Sequence, residues 1–168
     1  MTSPVNKSFL SNNKFDFTIQ RLPNLVFFVQ SVNLPSITLT QSNVPTPFTQ
    51  VNIPGNQLEY GELSLNLIMD EDFLSWFELY NWMNDLGNPN SYNKRGSLSG
   101  TPGKINSVTS DAALIVKTNS NNPNIVVDFK DIFPTSISDL TFATTDSQDF
   151  LTVSISFAYT SYSAKRYT

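Results

Sequence analysis

The sequence predicts a mainly β chain of about seven strands with one helix. Three observations lead there. Apolar and polar residues alternate with a period of two through most of the chain, the pattern of strands with one buried face. A single segment, residues 70–87, instead repeats its apolar side chains at steps of three and four. Finally, 13 Phe, 6 Tyr and 2 Trp in 168 residues supply a large core for one domain, while a charged fraction of 14% leaves Ser, Thr and Asn to cover the exposed faces.

Strand one is "KFDFTIQR" (14–21), where Phe15, Phe17 and Ile19 alternate with Asp16, Thr18 and Gln20. Strand two is "LVFFVQSVNLP" (25–35), apolar at first and then alternating through Phe28, Gln30, Val32 and Leu34 until Pro35 limits the ladder. "SITLT" (36–40) stays extended. Residues 41–57, "QSNVPTPFTQVNIPGNQ", hold three prolines and a glycine among polar residues, so they are expected as a protruding loop or hairpin arm and not as a central strand. "ELSLNLIM" (62–69) returns to strict alternation, with Leu63, Leu65, Leu67 and Met69 against Ser64, Asn66 and Ile68.

The period then changes. In "DEDFLSWFELYNWMNDLG" the residues Phe73, Trp76, Phe77, Tyr80 and Met83 fall on one helical stripe, expected to face the core. Asp70, Glu71 and Asp72 stand where carboxylates complement a helix N-terminus, and Gly87 where a left-handed cap is usual. Residues 88–110, rich in Asn, Ser, Gly and Pro, are expected as a mobile excursion. "AALIVKT" and "NIVVDFK" form a hairpin about "NSNNPN". "KDIFPTSISDLTF" (130–142) interrupts the strands, and "FLTVSISFAYTSY" closes the chain with Leu151, Val153, Ile155, Phe157 and Tyr159 on one face.

Several chemistries are set aside by composition. With no His and no Cys, neither histidine-based triads nor thiolate, disulfide or Cys-zinc sites are available. A net charge of −4 without blocks of like charge argues against gripping nucleic acid through phosphates. The Asp70–Asp72 run could pair carboxylates for acid–base work or begin a calcium loop, yet Phe73 and Leu74 occupy the ligand positions, and helix capping accounts for the acids. "GSLSGTPGKI" departs from the phosphate-loop spacing, so Lys94, Arg95 and Lys104 are assigned to solvent. The rings of Phe15, Phe17, Phe27 and Phe28 have only Lys14 and Arg21 beside them, too few cations for a base-stacking platform, and are assigned to the core. No run approaches the length of a spanning helix, and "MTSPVNKSFL" lacks a basic and apolar leader, so an intracellular soluble product is expected.

Two features exceed what a plain globular domain requires. One is the proline-rich arm. The other is a pair of nearly uncharged strand faces, Ser64 with Asn66 and Thr152 with Ser154 and Ser156, suited to a surface past which something slides without sticking. An ordinary solvated sheet would present the same residues.

Four stretches in order, "NKFDFTIQRLPNLVFFVQSVNLPSI", "LSLNLIMDEDFLSWFELYNWM", "KDIFPTSISDL" and "DFLTVSISFAYTSY", resemble the tail-tube proteins of contractile-tailed bacteriophages. In that family a hydrophobic residue, Phe or Trp, Pro and Thr, followed by Ile or Val and then Leu, precede the last strand. Ile132, Phe133, Pro134, Thr135, Ile137 and Leu140 match it. Phe133 and Pro134 are expected to turn the chain at a sheet edge, with Ile137 and Leu140 pinned to the core.

The resemblance implies a small antiparallel β-barrel or sandwich with one flanking helix, without enzymatic activity or cofactor. It implies hexameric rings, joined through their inner sheets and stacked into a tube through which viral DNA passes without specific binding. Tail sheath and baseplate proteins would be further partners, the virion tail the final location and the host cytoplasm the place of assembly. The family's stacking loop maps onto Val44, Pro45, Pro47, Phe48, Val51, Ile53 and Pro54, and the lumen onto Ser64 and Asn66 or Thr152, Ser154 and Ser156. A baseplate tube-initiator of the same fold is the nearest alternative. A carbohydrate-binding or adhesin sandwich, monomeric with an exposed aromatic patch, is the second.

Overall fold

The structure, a computed structural model, describes residues 8–87, 108–144 and 150–167. Alternation becomes ladder along β1 (Phe15–Ile19), β2 (Val29–Val32), β5 (Leu63–Ile68), β6 (Ser110–Lys117), β7 (Pro123–Ile137), β8 (Thr152–Ala158) and β9 (Ser161–Arg166). These strands form a seven-stranded antiparallel sheet in the order β1-β6-β7-β8-β5-β2, with β9 also paired to β7. The excursion expected at 88–110 lies, up to residue 107, outside the described residues.

The long strand β7 divides this sheet. Its residues 125–130 pair with β6 on one side and β9 on the other, whereas residues 133–137 pair with β8. The bend falls at Asp131, whose φ of 56° is left-handed, and the Thr160 N–H bonds the Lys130 carbonyl at 3.0 Å where β8 passes into β9. Two four-stranded halves result, β1-β6-β7-β9 and β7-β8-β5-β2. Their inner faces supply one core: Phe17, Ile19, Leu114, Val127 and Phe129 from the first, and Leu63, Leu65, Leu67, Val153, Ile155 and Phe157 from the second. Each of these side chains contributes about 2 kcal/mol on burial.

The "KDIFPTSISDLTF" stretch therefore does not break the strands as expected. Residues 130–137 continue β7 round the corner, with Ile132 and Pro134 buried. Pro134, opposite Phe157, sits beside a bulge in a stretch of β7 that has a strand partner on one side only, the edge setting in which proline is tolerated.

Residues 25–28 depart from the predicted strand. They make one helical turn, α1 (Leu25–Phe28), and the strand shortens to β2. Helical rotation buries Leu25 and turns Phe27 outward to 87% exposure, so Phe27 does not join the core.

The main helix, α2 (Leu74–Gly87), buries a different stripe from the one predicted: Ser75, Leu79 and Trp82, followed by the partly buried Leu86. Phe77 and Tyr80 face outward. The segment is apolar on two sides, so periodicity alone does not choose between them, and the small Ser75 lets the helix lie close to the sheet. Phe73 takes φ 56°, which delays the helix start. Of the three acids, Asp70 meets the helix, accepting the Leu74 N–H at 2.9 Å, while Glu71 and Asp72 are exposed. Gly87 ends α2 without left-handed backbone.

Residues 37–60 form a separate two-stranded sheet, β3 (Ile37–Pro45) with β4 (Gln50–Tyr60). It leaves the body after β2 and returns into β5.

Candidate functional site

The two polar faces identified in sequence are one surface. β5 and β8 are neighbours, with Ser64 opposite Ser156, Asn66 opposite Ser154 and Ile68 opposite Thr152, and residues directly opposite in a ladder share a face. β2 adds Ser31, opposite Asn66, and β7 adds Ser136, opposite Ser156.

The side chains of this surface bond to one another across the strands. Ser154 Oγ donates to Asn66 Oδ1 at 2.6 Å, and Asn66 Nδ2 donates to Ser31 Oγ at 2.9 Å. Ser138 Oγ accepts the Ser154 N–H at 2.9 Å. At one end the Thr135 hydroxyl lies 3.0 Å from the Ser156 carbonyl oxygen and 3.1 Å from Glu62 Oε1. Glu62 is the charge at that end; no Lys or Arg stands on this face among the described residues. Fixed neutral dipoles of this kind offer a passing phosphate no counter-charge.

The family-signature residues occupy the corner beside that surface. Ile132 and Pro134 are buried, Phe133 is 38% exposed, and Ile137 and Leu140 pack against the core edge.

The arm residues Val44, Pro45, Pro47, Phe48, Val51, Ile53 and Pro54 all lie in β3, β4 or their turn, and all are exposed, Phe48 at 99%. A bulge interrupts the ladder between Leu39 and Gln41. There Thr40 stands against Gly55, Asn56 and Gln57, and its hydroxyl donates to the Gln57 carbonyl at 3.2 Å. A Cβ on Gly55 would meet the Thr40 carbonyl oxygen at 2.5 Å, so the crossing tolerates no side chain there.

Sequence reasoning missed what holds the arm. Tyr60, Tyr159 and Tyr162 form a ring cluster with Phe129, with centroids 5.3 to 6.1 Å apart. Tyr159 donates to the Gly61 carbonyl at 2.8 Å and Tyr162 to the Pro35 carbonyl at 3.0 Å, fixing both chains of the arm's base. Burial, and then the neighbouring Tyr162 and Tyr60, push the Tyr159 hydroxyl up to about 12. The signal was present as tyrosines ending β4 and flanking the last turn, but their meeting depends on the bend of β8 into β9.

Within α2, Trp76 stacks on Tyr80 with ring centroids 5.1 Å apart, beside the exposed Leu74 and Phe77. No grouping of three metal-ligating side chains occurs among the described residues, and no helix there is long and apolar enough to cross a membrane.

A sheet face without cations among the described residues thus lies beside an exposed, anchored arm. The same fold occurs in the anti-feeding prophage cap, its tube terminating cap, at TM-score 0.68 and 13% identity over 99% of this chain and 97% of that one. It occurs again in the sheath-tube complex of an extracellular contractile injection system called PVC, at TM-score 0.68 and 13% identity over 96% and 94%. The anti-feeding prophage baseplate contains it too, at TM-score 0.61 and 15% identity over 98% and 97%. No curated protein matches in sequence. The profile of the family described as "Phage tail tube protein" matches residues 2–165, and the chain belongs to that family. Its role is that of a structural tube protein, not an enzyme.

Proposed function

We propose that the chain assembles as hexameric rings stacked into a phage tail tube, with the Ser31–Asn66–Ser154 face lining the lumen through which the genome leaves. The observation carrying this is the union of Ser64, Asn66, Thr152, Ser154 and Ser156 on one cation-free face. The same sheet half ends in edges at β2 and at β7 residues 133–137. Pairing one edge with the other between copies joins the sheets into a barrel and removes both. β2 is short and bulged, and the β7 edge carries Pro134, so neither invites unlimited pairing.

The arm at 41–57 makes the ring-to-ring contact. Sheath and baseplate proteins are the outer and terminal partners, assembly takes place in the host cytoplasm, and the product is part of the virion tail. Relatives described as a sheath-tube complex and as a 6-fold symmetrised baseplate support this setting. A tube-initiator role is the second reading, favoured by the baseplate relative.

Negative-stain electron microscopy across a concentration series, with light scattering on the same samples, tests the proposal. Hollow tubes of uniform diameter are expected. Discrete rings that never stack would assign the chain to initiation, and a persistent monomer would overturn the tube.

A further inference from the structure

The chain has 6 Tyr and no Cys, so no disulfide ties its segments together. Three of those tyrosines meet. Tyr60 closes β4, while Tyr159 and Tyr162 flank the turn from β8 into β9. Ring centroids lie 5.4 Å apart for Tyr60 and Tyr162, 6.0 Å for Tyr159 and Tyr162, and 6.1 Å for Tyr60 and Tyr159. Among the described residues no other tyrosine has a tyrosine ring beside it: Tyr80 stacks on Trp76, and Tyr167 makes no ring contact.

The three rings are held differently. Tyr159 donates its hydroxyl proton to the Gly61 carbonyl and Tyr162 to the Pro35 carbonyl. The Tyr60 hydroxyl has no partner among the described residues, and Tyr60 is 36% exposed. Oxidising a phenol removes an electron together with the hydroxyl proton, so it starts most readily where the ring reaches solvent and the proton can leave to water. Tyr60 meets both conditions. The Tyr162 ring, in edge contact with it at the shortest of the three separations, is its partner.

We infer that Tyr60 and Tyr162 are a modification site, at which a one-electron oxidant forms a dityrosine bridge within the chain. Each phenol loses one electron and one proton, the electrons passing to the oxidant and the protons to water. The two phenoxyl radicals join through a new bond between ring carbons ortho to their oxygens. The hydrogens on those carbons then move to the oxygens as both rings regain aromaticity, so the product is the chain less two hydrogen atoms. Tyr159 stays a phenol, held at Gly61.

The bridge would tie the end of β4 to β9 across the base of the arm. Like a disulfide, it closes a long loop and restricts the unfolded chain. The hydrogen-bonded anchor at Gly61 and Pro35 thereby gains a covalent one, in a chain that has no thiol to supply it. Because both residues belong to one copy, the site is independent of the tube reading.

Photo-oxidation of the dilute, folded chain with ruthenium tris-bipyridyl and persulfate, which becomes sulfate as it takes up the electrons, tests this. A monomer lacking two hydrogen atoms is expected, with the blue emission of dityrosine and a cross-linked peptide mapping to residues 60 and 162. Tyr60→Phe removes no hydrogen bond and keeps the ring, yet should abolish that product, whereas Tyr159→Phe should retain it. Oxidation in concentrated urea should lose the preference for this pair, and the bridged chain should unfold at a higher urea concentration than the unbridged one. A folded chain that yields no bridge, a monomer bridged at another pair, or a bridge that survives Tyr60→Phe would overturn the site. A bridged chain with an unchanged urea midpoint would overturn its role as a staple.

Discussion

The outer face of the β1-β6-β7-β9 half carries Asp16, Asp111, Lys117, Asp128, Lys130 and Lys165, with Lys117 and Asp16 paired at 2.6 Å and Lys165 and Asp128 at 3.9 Å. The outer face of the β7-β8-β5-β2 half answers with Ser31, Ser64, Asn66, Ser154 and Ser156, of which Ser31, Asn66 and Ser154 are bonded in series, and it is free of cations among the described residues. Both are exposed faces of antiparallel sheet over the same core, so burial and strand geometry do not account for the difference. Solvation alone is served by either composition. What distinguishes them is the partner each tolerates: mixed charge gives orientation and specificity to a protein contact, while neutral dipoles hold nothing charged.

The largest expected effect destroys the comparison by removing its common support. Phe157 is fully buried, opposite Leu63 and Pro134 in the ladders, 6.5 Å from the Trp82 ring of α2, and part of the one core cluster that both sheet halves supply. Phe157→Ala should lower stability by about 3–5 kcal/mol, measured by urea unfolding, because the closed site collapses poorly around the cavity. A loss below about 1 kcal/mol would mean that the halves do not share one core at this point.

The next effect loosens the arm while sparing both faces. Tyr159→Phe removes the hydrogen bond to the Gly61 carbonyl and should lose about 0.5–1.5 kcal/mol near neutral pH. The hydroxyl is raised from 10.0 to about 12 in the fold, so its contribution is complete below pH 10 and fades as the pH climbs towards 12. Wild type should therefore lose stability over that interval more steeply than Tyr159→Phe, and parallel curves would sever the cluster from the arm.

Much of this arrangement was legible in the sequence, and the gaps have physical causes. The strands at 15–19, 63–68 and 152–158 follow from strict alternation, because a half-buried strand allows no other pattern. The polar residues of β5 and β8 were visible as two sets, yet their union depends on strand order, which periodicity does not encode. α2 was found but rotated, since Phe73, Trp76, Phe77, Tyr80 and Met83 form as good a stripe as Ser75, Leu79 and Trp82. A Ser in the core stripe, here 1% exposed, hides that stripe from any count of apolar residues. The left-handed φ of Asp131 was equally hidden, because this bend uses neither Gly nor Asn, and it turned a supposed break into the corner of the fold.

A smaller effect sharpens the charged side. Lys117→Met breaks the pair with Asp16, in which the two side chains are 20% and 48% exposed, and should cost about 0.2–1 kcal/mol. A double-mutant cycle with Asp16→Asn measures the coupling, which should shrink as salt is raised. Coupling that persists at high salt would mean the pair is held by packing more than by charge.

The smallest change in stability tests the comparison most directly. Ser154→Lys and Thr18→Lys each add one positive charge to an exposed strand position, the first on the neutral face and the second on the charged one. Neither site is buried, and the exposed bond to Asn66 that Ser154→Lys removes is worth about 0.5 kcal/mol, so each protein should melt close to wild type and assemble as it does. In a tube, however, a substitution repeats in every copy of every ring. At position 154 it would line the passage with cations that bind phosphate, so low-salt co-sedimentation of DNA with tubes and a slowed genome exit are expected, both relieved by added salt. At position 18 the same charge joins a face already carrying Lys117, Lys130 and Lys165, and exit should proceed at the wild-type rate. Equal behaviour of the two variants would remove the neutral face from the lumen, because only position relative to the passage separates them.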